Sequence, residues 1–362
     1  MNLNPAAPQP GIPFEARPDE GFTAWLAQCG GALALTTYQA GVLALFSWTG
    51  QQISVFLRRF DKVMGLDLEG ERLLLATRYA LMEFGNSPVL AHNFREPGRY
   101  DALYLPRVSW HHPDINIHDV AFGKRGIWMV ATRFNALCRP SPVHTFEPLW
   151  RPPFVDAWVP EDRCHLNGLA MQDGEPAFVT ALGRSNTPAG WREGKATGGI
   201  VMRVPDGEVL LEGLAMPHSP RWHAGRLYLL NSGAGELLCL DPISGRKELI
   251  CRLQGYLRGL AFAGQYALVG LCQMRETNVF GGMPVEKTYD RLLCGVALVD
   301  LVTGRQAGLL EITSGCTEIF DLKLLPGQRR PAILNLEQQD IKDAISVPGA
   351  HYWLRPENEI KD

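Results

Sequence analysis

Two histidines, an asparagine and an arginine stand at equivalent places in a motif that returns along the chain. The motif is a polar or large residue, a small residue or Asp, then an apolar triplet. It reads Met64-Gly65-Leu66-Asp67-Leu68, His118-Asp119-Val120-Ala121-Phe122, Asn167-Gly168-Leu169-Ala170-Met171, His218-Ser219-Pro220-Arg221-Trp222 and Arg258-Gly259-Leu260-Ala261-Phe262. A degenerate copy is Phe320-Asp321-Leu322-Lys323-Leu324. Four of the six leading residues are strongly polar. His118, Asn167 and His218 offer two imidazoles and a carbonyl oxygen to a divalent metal, with Glu318, Asp321 or Asp119 supplying a carboxylate. Arg258 is suited to an anionic substrate group, with Asp119 and Arg163 as further substrate contacts. His165 precedes Asn167 by two positions, which on a strand puts both side chains on one face. His165 and His218 are the candidate proton carriers beside Arg258. The competing account is a wet channel in which these groups satisfy one another and ordered water.

An architecture must bring residues so far apart in sequence to one place. The leading residues of successive motifs are 54, 49, 51, 40 and 62 positions apart, which brackets the roughly 40–50-residue period of propeller blades. Each copy precedes a turn and a second apolar run, such as Arg72 to Tyr79, Ile127 to Phe134, Ala177 to Thr180 and Arg226 to Leu230. One blade cannot bury both of its faces, whereas blades stacked around an axis can. The expectation is an all-β, closed β-propeller of four-stranded antiparallel blades around a central channel. Six blades are favoured, closed by pairing the strand near Phe320 with the N-terminal runs Leu33 to Tyr38, Val42 to Trp48 and Ile53 to Arg59; seven is the alternative. Since the first strand of each blade lines the channel, His118, Asn167, His218 and Arg258 should meet at one end of the axis. Asp119, Ser219 and Gly259, one residue on, should face away into the blade stack; for the charged Asp119 the alternative is a partner there or a bulge that turns it back to the channel.

Composition narrows the function classes. The chain has 362 residues, 46% hydrophobic and 20% charged, with a net charge of −3, so no general electrostatic drive toward nucleic acid or an anionic membrane exists. The pairs Arg58-Arg59 and Arg329-Arg330 read as solvated surface. No run is long and apolar enough for a spanning helix. The start of the chain is Pro-rich without a signal-peptide core. Eight cysteines form no C-x-x-C pair and read as small buried hydrophobes. A cytoplasmic location is expected. The organisation expected is a Pro-rich arm over 1–20, one propeller over 21–336 and a polar tail over 337–362, with a short helix over Phe22 to Gln28.

Other motifs are weaker. Cys164 reads as packing. His111 and His112 read as an apical loop. Trp150-Arg151-Pro152-Pro153-Phe154 reads as a rigid apolar edge. No P-loop, dinucleotide fingerprint, H-E-x-x-H or EF-hand loop occurs, so no nucleotide cofactor is expected.

Two resemblances arise at these residues. Asn167-Gly168-Leu169-Ala170 resembles the metal-ligand strand of the gluconolactonase and senescence-marker family, six-bladed propellers that also resemble strictosidine synthase and paraoxonase. That resemblance implies a divalent cation at Asn167. The other ligands in that family are typically Glu, Asn and Asp, where this chain carries His118 and His218. The second resemblance covers nearly the whole chain. Thr37-Tyr38-Gln39-Ala40-Gly41, the Trp150 to Phe154 run, Glu161 to Ala170 and Met216-Pro217-His218-Ser219-Pro220-Arg221 look like a bacterial family of conserved hypothetical proteins, which implies no particular activity. The function expected is a metal-assisted hydrolase or lyase/isomerase acting on a small polar or anionic substrate at the channel. The alternative is a non-catalytic propeller that binds a peptide or protein partner on its loop face, near Trp150 and Phe154.

Overall fold

The computed structural model describes residues 13–273 and 281–354. Its strands form six blades around an axis. The closing blade, blade 1, takes its inner strand, Asp321–Pro326, from the C-terminal side and its outer three, Gly31–Thr36, Val42–Trp48 and Ile53–Arg59, from the N-terminal side. Asp321 pairs with Thr36 and Pro326 with Gly31 along an unbroken antiparallel ladder. The ring is thereby closed by main-chain hydrogen bonds between the two ends of the propeller, as the strand near Phe320 implied.

The inner strands of blades 2 to 6 are Leu66–Glu69, Ile117–Gly123, Leu166–Gln172, Pro217–His223 and Tyr256–Ala263. Each is followed by a hairpin partner. Between Leu166–Gln172 and Glu175–Ala181 the turn is Asp173-Gly174, both residues left-handed at φ 52° and 72°. That conformation matches the strand twist and suits an Asp-Gly pair. Apolar side chains of adjacent blades fill the spaces between them: Leu166, Leu169 and Val179 of blade 4 pack with Trp128, Val130 and Leu137 of blade 3. All eight cysteines are thiols rather than disulfides, and Cys164 is fully buried in that same layer.

Two blades carry a fifth strand. Glu15–Pro18 adds antiparallel to Arg305–Ser314 of blade 6, and Pro331–Ile333 adds parallel to Ala102–His111 of blade 2. The helix Glu20–Gln28 follows, capped by Asp19, whose carboxylate accepts from the Phe22 amide at 2.7 Å. It buries Phe22, Trp25 and Leu26. After the ring, Ala344–Val347 and Ala350–Trp353 form a hairpin whose Trp353 stacks on Phe94. No helix among the described residues is long and apolar enough to cross a membrane.

Four inner strands carry a β-bulge at the motif. In blade 5, His218 lies opposite Leu230 and Arg221 opposite Tyr228, so three steps on one strand match two on the other. The same one-residue excess occurs between Ile117 and Val120, between Leu257 and Leu260 and between Leu166 and Gly168. A bulge adds a residue and re-aims the side chains around it, which changes what faces the axis.

Candidate functional site

The leading motif residues converge. His118, Asn167, His218, Arg258 and Phe320 line one axial cavity, together with Asp119, Ser219, Arg221 and Asp321. Met64 is buried in the layer between blades 2 and 3 instead. The expectation that Asp119 and Ser219 face away fails, because the bulges return them to the axis. Ser219 does so with a left-handed backbone at φ 50°.

The motif's second position alternates around the ring. Asp321, Asp119 and Ser219 occupy blades 1, 3 and 5; Gly65, Gly168 and Gly259 occupy blades 2, 4 and 6. Each polar residue accepts a backbone N–H from the next blade: Asp321 from Leu66 at 3.1 Å, Asp119 from Leu169 at 3.0 Å, Ser219 from Gly259 at 2.9 Å. Each glycine abuts the following polar blade. A Cβ on Gly168 would stand 2.3 Å from Pro220 Cδ, and one on Gly65 3.1 Å from the Asp119 Cα.

Arg221 plugs the channel on the axis. One guanidinium nitrogen donates to Asp119 Oδ2 at 2.7 Å and to the carbonyls of Leu169 and Pro220 at 3.1 and 3.0 Å; the other donates to Asp321 Oδ1 at 3.1 Å. Burial acts to lower the Arg221 pKa, but Asp119 and Asp321 outweigh it and hold it above the ordinary value. Burial raises the Asp321 pKa, against the pull of Arg221. Asp119 and Asp321, considered as substrate contact and metal ligand, are therefore tied to this cation and to backbone amides. Glu318 accepts from the Gln39 amide at 2.9 Å and lines a separate cleft between blades 6 and 1. Asn167 uses both amide atoms, donating to Pro217 O at 3.0 Å and accepting from Thr180 at 2.6 Å. Arg163 is held by Glu161 and Asp156 at 2.8 and 2.6 Å and is not among the cavity residues.

The histidines differ from these. His118 Nδ1 meets Asn116 O at 3.1 Å and Thr132 Oγ1 at 2.8 Å. His218 Nδ1 meets Met216 O at 2.9 Å and Ser232 Oγ at 3.0 Å. His165 Nδ1 meets both Asp162 oxygens at 2.9 Å. Among the described residues, none of the three Nε2 atoms has a hydrogen-bond partner. His165 is not in a strand, as its spacing from Asn167 implied. It precedes Leu166–Gln172 with a left-handed backbone at φ 53°, which swings its ring over His118 and against Trp191, at centroid distances of 4.9 and 4.6 Å. Trp191 Nε1 donates to Asp162 at 3.1 Å, fixing that carboxylate. Burial, with His165 and then Arg258 adding to it, holds the His118 pKa well below the usual histidine range. Burial, then Arg258 and His165, does the same at His218.

Arg258 lies 3.8 Å above the Phe320 ring. Among the described residues its guanidinium has no hydrogen bond and no ion pair. Burial lowers its pKa, yet an arginine remains a cation. Among the described residues, no three His, Cys, Asp or Glu side chains converge closely enough to hold a metal ion. The cavity has about 220 Å³ of empty space open to solvent, of which about 10 Å³ admits the centre of a water molecule. Trp150, considered as a loop-face contact, donates to Pro205 O at 2.7 Å, and Trp150 and Phe154 pack on the core between blades 3 and 4.

Sequence reasoning missed Arg221, Asp162 and Trp191. Arg221 is three residues past His218, which on a regular strand puts it on the opposite face; only the bulge makes it axial. Asp162 had a signal, being three residues before His165 in the densest polar run. Trp191 had none, since it arrives from the long loop between the second and third strands of blade 4.

A family model described as a domain of unknown function, DUF4915, matches residues 20–334. The chain belongs to that family. No curated protein matches the DUF4915 chain. Among solved structures it is similar to a chain of a nidogen/laminin complex, with a TM-score of 0.50 and 11% identity, over 82% of this chain and 99% of that one. At that identity the likeness shows the six-bladed propeller fold alone.

Proposed function

We propose that this DUF4915 propeller is a proton-transfer enzyme, of the hydrolase or lyase/isomerase kind, acting on a small anionic substrate at the mouth of the channel. The observation that carries this reading is the Asp162–His165 pair, whose imidazole packs against His118 of the cavity that also holds Arg258. Asp162 accepts the His165 Nδ1 proton, which leaves Nε2 as the basic atom and stabilises the imidazolium once that atom takes a proton, as an orienting acid does for a general base. Arg258 holds the substrate's negative group, and Phe320 keeps the guanidinium in place through its ring face, a contact of roughly 2 kcal/mol when desolvated. Arg221 closes the channel below, so that substrate enters and leaves from the histidine end. Among the described residues no three His, Cys, Asp or Glu side chains converge closely enough to hold a metal ion, so no step is assigned to a divalent metal.

The test is exchange and turnover in D2O. Wild-type and His165→Ala proteins are incubated with small carboxylates bearing hydroxyl or carbonyl groups, and C–H signals are followed by NMR. The reading expects exchange or conversion in the wild type, lowered about 10²–10⁴-fold in His165→Ala and lowered in Asp162→Asn. Equal rates in wild type and His165→Ala overturn it. Elemental analysis runs beside it: stoichiometric metal, lost in the paired His118→Ala and His218→Ala variant, favours a metal-assisted form instead. Absence of exchange, turnover and metal favours the non-catalytic scaffold.

A further inference from the structure

The same site carries information about what it binds, and the inference rests on the reading just given. We propose that the ligand is a small hydroxy-carboxylate bound as a monoanion, with its carboxylate on Arg258 and its hydroxyls donating to Nε2 of His118 and His218.

The argument begins with tautomers. A carbonyl oxygen only accepts, so the nitrogen facing it must carry the proton. His118 Nδ1 faces Asn116 O at 3.1 Å, and His218 Nδ1 faces Met216 O at 2.9 Å. The second partner of His118 gives the same answer. Thr132 places its own hydroxyl proton on Leu166 O at 2.6 Å, so toward His118 Nδ1 it acts as an acceptor. Both rings are therefore Nδ1–H tautomers, and each presents a bare lone pair at Nε2. Both side chains are more than nine-tenths buried and both line the cavity. Neither Nε2 atom is sealed off without a partner as His112 Nε2 is, so each lone pair is reachable from the cavity and open to a ligand hydroxyl. The depressed pKa values of both rings mean that they stay neutral acceptors near pH 7 rather than becoming donors.

Charge then selects the acid. The guanidinium of Arg221 is matched by Asp119 and Asp321, whereas among the described residues Arg258 has no ion-pair partner. The charges of Arg221, Arg258, Asp119 and Asp321 sum to zero in this cavity, but both carboxylates are spent on Arg221, which leaves the Arg258 guanidinium open to a direct anionic partner. A carboxylate pairs with it in the planar, two-oxygen geometry a guanidinium favours. A doubly charged phosphate would press its remaining oxygens against two lone pairs. An amino acid's carboxylate would also pair with Arg258, but its ammonium would place a second cation beside the guanidinium. The cavity between these side chains is narrow, with room for about one water molecule, so the ligand is short and reaches in from the mouth.

Two measurements on the full chain test this. Nitrogen-15 NMR of labelled protein at pH 7.5, with resonances assigned through His118→Gln and His218→Gln, reads the tautomers directly. An Nε2–H form of either ring overturns the inference, whether or not the protein turns over a substrate. Calorimetric titration then compares D-glycerate, propionate, L-serine and glycerol. Glycerate is expected to bind at least about tenfold tighter than propionate and tighter than serine or glycerol, and His118→Gln is expected to shrink the glycerate-to-propionate ratio. Glycerate that fails to bind, propionate that binds as well, or stoichiometric metal on the Nε2 atoms each overturns the proposal. The proton-transfer reading falls instead when His165→Ala keeps full turnover while glycerate still binds.

Discussion

Replacing Arg221 by methionine keeps most of the side-chain volume and removes the cation from the middle of the ring. Asp119 and Asp321 are 4% and 3% exposed, and both have Arg221 as their ion-pair partner. Each carboxylate would keep two backbone donors: Val120 and Leu169 for Asp119, Leu66 and Leu322 for Asp321. What remains is two buried carboxylates without their ion-pair partner, with Arg258 and Lys323 acting only at longer range, and removing one partner of such a cluster costs about 3–5 kcal/mol. Urea unfolding at pH 7.5 should show Arg221→Met destabilised by that amount. The loss should shrink toward pH 5. Burial raises the Asp321 pKa against the pull of Arg221, so without the cation the folded chain binds a proton there that the unfolded chain does not, and stability rises as pH falls. Adding Asp119→Asn and Asp321→Asn to Arg221→Met should recover part of the loss at pH 7.5 and abolish the pH-dependent recovery. A loss below about 1 kcal/mol in the single variant, or a wild-type pH profile, would refute the view that Arg221 holds the ring through these two acids.

Two further outcomes follow from the same geometry. His118 and His218 are protonated in the unfolded chain below about pH 6.5 but resist protonation when folded. The unfolded state therefore binds more protons as pH falls from 7, and stability should drop by up to about 1.4 kcal/mol per pH unit for each ring. His118→Gln/His218→Gln should show a shallower decline in urea titrations between pH 7 and 5, and an unchanged slope would count against buried neutral rings. Gly168→Ala places a methyl 2.3 Å from Pro220 Cδ and 2.5 Å from Thr180 Oγ1, an overpacking cost of about 1–3 kcal/mol. Gly85→Ala meets only the Arg107 side chain at 3.3 Å and should lie within about 1 kcal/mol of wild type; similar losses in the two variants would contradict the close inter-blade approach at Gly168.

The sequence by itself determined the ring and the place where polar groups meet. Short apolar runs and a returning motif specify blades, because a blade buries its faces only against its neighbours. The periodic placement of His118, Asn167, His218 and Arg258 follows directly, since ring closure brings equivalent strand starts to one end. The closing strand was legible too, because Asp321–Pro326 carries a motif copy that needs the N-terminal runs as partners. What each polar group does was decided only by tertiary structure. Regular alternation sends Asp119 into the blade stack and puts Arg221 opposite His218. The bulges undo both, and a bulge depends on how two paired strands share their hydrogen bonds, which no pattern along one strand encodes. In the same way, three acidic residues look equally available in the sequence. In the fold Asp119 and Asp321 neutralise Arg221, while Asp162 orients His165 from a turn held by Trp191. Which charge is matched is a property of three-dimensional neighbours, and among the described residues it leaves Arg258 without an ion pair, against the Phe320 ring.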